Sequence, residues 1–149
     1  TMKTDLPGTI KSLVQLLESY PQNVVLVRSI VTLSRKNGDE KMALEYIERG
    51  LRLKPNCIFL LMDLANQKIK SGDLAGALNI AEQIEMGLST SEDEERYNKS
   101  TIAAIRGLVC FHQGKKAEAL KLLVEADDLS FLVSLSFEDF KKTLNSLRE

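Results

Sequence analysis

The sequence is poor in the residues that most chemistry and most cross-linking require: one histidine, two cysteines and three prolines in 149 residues. With His112 alone, no two-histidine metal site can form, and Cys110, two positions away on the same helix, diverges from it. Cys57 and Cys110 have no closely spaced partner, which excludes a disulfide framework and fits small buried hydrophobes in a reducing compartment. A cysteine nucleophile would need His112 delivered from another element, and nothing in the spacing provides that, so catalysis is not indicated. The glycines are isolated, with no phosphate-cradling run followed by lysine and serine or threonine, so neither nucleotide nor other cofactor is expected. A formal charge of -1 offers no excess of cations to neutralise phosphates, which argues against nucleic acid. No apolar run nears the roughly 18 residues a bilayer demands, and the first residues carry no signal-peptide core. A cytoplasmic, soluble protein is the expectation. Thr1 ahead of Met2 reads as an expression remnant, which would make the chain a piece of something longer.

What the sequence does contain is a period. Gly38-Asp39 and Gly72-Asp73 lie 34 residues apart, each followed at the same distance by Ala43-Leu44 and Ala77-Leu78. A glycine turn, then a small residue, then an apolar one is what antiparallel helix pairs need when stacked units bury each other's faces. With few prolines and no sustained alternation of apolar and polar residues, the whole chain reads as helical. One domain is expected over 1–149.

Along the chain, a lone amphipathic helix occupies 9–23, with Ile10, Leu13, Leu16 and Leu17 at helical spacing. The first complete unit runs over 24–57 and ends at Pro55; the second spans 58–88 in the same register. The distance to the next turn, Gly114, lengthens from 34 to 42 residues, and the added residues fall around Gly87 to Glu95. Ser91 and Glu94 form a capping-box pattern, so a long helix is expected from near Glu92 to about Gln113, opening a third unit over 92–127. Ser136 is another expected cap, before a final helix over 136–148 with Phe137, Phe140, Leu144 and Leu147 on one stripe. Ser89, Thr90 and Ser91 beside an acidic run are compatible with phosphorylation, but a solvated linker ending in a helix cap is the favoured explanation.

The 34-residue period, the Gly-Asp turns, the Ala43-to-Ile47 and Ala77-to-Ala81 steps and Pro55 at the unit boundary together resemble the tetratricopeptide repeat. The resemblance covers 24–126, and Leu13, Leu17 and Pro21 fall where Ile47, Leu51 and Pro55 fall, so 9–23 is similar to the second helix of an earlier repeat. It departs from the family where Val27, Leu61 and Ala103 replace the usual bulky aromatic, and where Arg106 takes the apolar position held by Ile30 and Leu64. The resemblance implies an all-α, right-handed superhelix of about three helix pairs, with an N-terminal half-repeat and a C-terminal capping helix.

It also implies a concave groove lined by the first helix of each pair. The corresponding positions are Val25, Arg28, Thr32, Arg35 and Lys36; Phe59, Met62, Asn66, Ile69 and Lys70; and Thr101, Ala104, Leu108, Phe111 and His112. A basic end and an apolar floor suit a peptide or amphipathic helix of a partner protein, with acidic groups meeting the cations. The family's clamp for chaperone tails is matched poorly, because Thr32 and Asp63 stand where asparagines are expected and Thr101 and Ile105 lack the later basic pair. A non-enzymatic adaptor or scaffold is the leading expectation. The alternatives are self-association, docking into a larger helical array, and a small chaperone.

Overall fold

A computed structural model of the chain describes residues 5–87, 92–129 and 140–149. Among them are eight α-helices and no strand, and none of these helices is long and apolar enough to cross a membrane. The expected cap at Ser91, the Ser89 and Thr90 hydroxyls, and the start of the last helix at 136–139 lie outside the described residues. The backbone groups into two compact units, Thr1–Leu60 and Leu61–Glu149.

In the first unit, α1 (Leu6–Ser19), α2 (Val24–Lys36) and α3 (Glu40–Leu53) pack in succession. Helix α1 begins three residues before the expected Thr9, because the Asp5 carboxylate accepts from the Gly8 amide at 3.1 Å and Pro7 is tolerated in a first turn. Asn23 and Asp39 cap α2 and α3 in the same way, accepting from Leu26 and Met42 amides. Ile10, Leu17, Val27, Ile30, Val31, Ala43 and Ile47 form the core. α3 buries Ala43, Ile47 and Gly50, but the residues 34 positions earlier in α1 are not buried: Thr9 and Leu16 are exposed and Leu13 is half-buried. α1 instead buries Ile10 and Leu17, the positions that match Leu44 and Leu51.

The second unit comprises most of α4 (Ile58–Lys70), then α5 (Leu74–Met86), α6 (Glu92–His112), α7 (Lys116–Leu129) and α8 (Phe140–Arg148). Helix α6 has 21 residues against 13 in α2 and in α4, so the eight residues added to the turn spacing extend this helix by about two turns. It is the centre of the unit: Ser100 to Ile105 are buried without a break, as are Gly107 to Val109. A helix buried on every side has neighbours on every side, and α5, α7 and α8 all pack on it. Phe140, Thr143 and Leu144 anchor α8.

Three turns share one geometry. Gly38, Gly72 and Gly114 have φ of 78°, 86° and 80°, left-handed values that L side chains rarely adopt. At each, the glycine amide donates to the carbonyl three residues back and the next amide to the carbonyl five residues back, Asp39 to Ser34, Asp73 to Lys68 and Lys115 to Cys110, all within 2.8–2.9 Å. Asp39 and Asp73 then cap the following helix, whereas Lys115 at the third turn has no side-chain oxygen to offer. Ala43, Ala77 and Ala119, four or five residues beyond each turn, are fully buried.

Candidate partner-binding site

On the first unit, the groove positions of α2 form an accessible basic face. Val25 is 67% exposed, Thr32 and Lys36 are exposed, and Arg28 and Arg35 are half-buried. The Arg28 guanidinium stacks over the Phe59 ring, 3.9 Å from its centre, and Thr32 Oγ1 donates to the Arg28 carbonyl at 3.1 Å. Stacking covers the apolar ring and holds the cation in place, while the charge stays near the surface. Phe59 is therefore half-buried by an arginine, and an open apolar anchor it is not.

On the second unit, Asn66, Ile69 and Lys70 of α4 face Leu108, Phe111 and His112 of α6 across a cavity of about 440 Å³, closed on its third side by Lys142, Thr143 and Ser146 of α8. All six residues of α4 and α6 are positions the repeat register assigns to the groove. Their placement has a simple origin: Asn66, Ile69 and Lys70, like Leu108, Phe111 and His112, fall at helical three- and four-residue spacing. The floor is apolar, the rim carries Lys70, His112 and Lys142, and none of the nine lining residues is acidic. Phe111 and His112 meet edge to face with centroids 5.6 Å apart.

Other groove positions are shut. Met62 is 1% exposed, with the Tyr97 hydroxyl 3.6 Å and the Thr101 hydroxyl 3.9 Å from its sulfur, so its side chain packs into the core. Thr101 and Ala104 are fully buried, and the Thr101 hydroxyl donates to the Tyr97 carbonyl at 3.0 Å. Ile69 and Leu108 are mostly buried and contribute only cavity wall. The physical reason is the central position of α6, which buries Ser100 to Ile105 and Gly107 to Val109. Arg106, the anomalous third-unit residue, leaves the core by pairing with Glu85 at 2.8 Å, and Ile105 beside it is fully buried.

Sequence reasoning missed Lys142, Thr143 and Ser146. Lys142 lies outside the apolar stripe of the last helix, and nothing local tells which helix that polar side approaches. A second cavity, of about 670 Å³, lies along α5, α6 and α7; both of its cations are paired, Arg106 with Glu85 and Lys99 with Glu95 at 3.1 Å, and Glu125 adds a further carboxylate. Cys57 is buried, and the Cys110 thiol is pushed above its ordinary value by burial and by Glu118, with Lys115 opposing. Among the described residues, no group of three histidine, cysteine or acidic side chains could hold a metal ion.

No family model matches the chain, and no curated protein matches it.

Proposed function

We propose that this chain is a non-enzymatic adaptor that binds a peptide or amphipathic helix of another protein on the faces presented by its first helices. The finer architecture in this reading is a right-handed superhelix of three tetratricopeptide-like pairs. One observation carries it: Asn66, Ile69, Lys70, Leu108, Phe111 and His112, chosen by repeat register, converge on a single cavity. The half-exposed Arg28, Arg35 and exposed Lys36 add a cationic face on the first unit. Peptide ligands of this kind gain affinity from a few apolar anchors and orientation from charge.

The test is selection of binders from a displayed peptide library with wild type, followed by affinity measurement on Phe111→Ala and on the double variant Lys36→Glu/Lys70→Glu. Losses of about tenfold or more with unchanged helical circular dichroism support the adaptor reading. Failure to select any peptide, or affinities unmoved by either variant, overturns it.

Self-association is the second reading, favoured by large apolar side chains left exposed on α1, just after it and on α2: Leu16 is 45%, Tyr20 59% and Val25 67% exposed. Light scattering over a concentration series decides it. A dimer abolished by Leu16→Glu would favour this surface, whereas Leu17, buried in the core, is the wrong residue to change.

A further inference from the structure

Asn66 is 4% exposed, stands in the wall of the α4, α6 and α8 cavity, and its amide nitrogen finds no acceptor among the described residues. A buried donor left unmade is costly, and natural proteins keep few of them. The side-chain amide can present either its nitrogen or its oxygen by rotation about χ2, so this group can serve a ligand at little conformational expense. Around it the cavity is apolar at Leu108 and Phe111 and cationic at Lys142, with no carboxylate in its lining to compete.

We infer that this cavity is a receptor for an acidic side chain of a bound peptide, with an adjacent apolar side chain packed over Leu108 and Phe111. The inference rests on the adaptor reading and specifies its partner chemistry: an amphipathic segment in which glutamate or aspartate lies one helical turn from a large apolar residue. The carboxylate accepts from the Asn66 amide and meets the Lys142 ammonium, a charge-assisted arrangement stronger than a neutral one. The volume, about 440 Å³, accommodates one such pair of side chains rather than a whole helix.

This site makes stability and binding oppose each other at Asn66. Asn66→Leu removes the unpaired donor at nearly equal volume, so the melting temperature should stay level or rise, while capture of the acidic group is lost.

The experiment uses the full chain and the tightest-binding library peptide, N-acetylated and C-amidated, with each of its acidic residues changed in turn to glutamine. Fluorescence anisotropy is read for wild type, Asn66→Leu, Lys142→Gln and Phe111→Ala. One acidic-to-glutamine change should weaken wild-type binding about tenfold, and that difference should vanish in Lys142→Gln and in Asn66→Leu. A selected peptide without an acidic residue, or an acidic-to-glutamine effect of the same size in wild type and in both variants, overturns the inference while leaving the adaptor reading in place. A free-carboxylate version that binds through its terminus alone also overturns it. Binding of no peptide removes both readings.

Discussion

The guanidinium of Arg28 lies 3.9 Å from the centre of the Phe59 ring, joining the middle of α2 to the first turn of α4 within the first unit. Such a contact is worth about 0.5–1 kcal/mol when partly solvated. A double-mutant cycle with Arg28→Gln and Phe59→Leu, read by urea unfolding, should give a coupling of that size. No coupling would mean that the stack is geometry without energy.

Among the described residues, nothing beyond the immediate chain neighbours lies within 4 Å of where a Cβ would stand at the three turn glycines, so alanine at each meets strain from φ alone. Gly38→Ala and Gly72→Ala should each cost about 1 kcal/mol. Lys115→Asp supplies the cap that the third turn lacks and should stabilise by about 0.5–1 kcal/mol. Thermal unfolding of the three variants checks both signs, and a destabilising Lys115→Asp would show that the third turn is not equivalent to the others.

Gly107 lets α6 and α7 approach: a Cβ there would lie 2.7 Å from Leu123 Cδ2 and 3.2 Å from Leu122 Cβ. Alanine improves helix propensity by about 1 kcal/mol, but overpacking costs about 1–3 kcal/mol. The net for Gly107→Ala is therefore destabilising, and Leu123→Val in the same chain should recover part of it. Leucine at Ala43 or Ala77, both fully buried, should cost about 1–3 kcal/mol by the same physics.

Two buried serines should respond oppositely to alanine. Ser100 Oγ donates to the Ala126 carbonyl at 2.7 Å, tying α6 to α7, and Ser100→Ala should lose about 1 kcal/mol. The Ser34 hydroxyl is fully buried without a partner among the described residues, so Ser34→Ala should be neutral or stabilising by up to about 1 kcal/mol. Denaturant midpoints measured side by side settle the comparison. A matching loss at both sites would mean that Ser34 is satisfied after all.

The helices and their turns were legible because they depend on local rules. A left-handed φ selects glycine, an orphan amide selects aspartate, and a core stripe repeats at helical spacing, so Gly38, Asp39 and Ala43 announce the same device as Gly72, Asp73 and Ala77. Length was legible too: the 42-residue interval before Gly114 emerges as the longer α6. Which face of each helix stays open depended on residues far along the chain. Met62 is closed by Tyr97 and Thr101, some 35 and 39 positions later, and the cavity beside Asn66 takes its third wall from α8. Local propensity carries no record of such neighbours, because burial is a property of the packed assembly of helices and only the tertiary structure decides it.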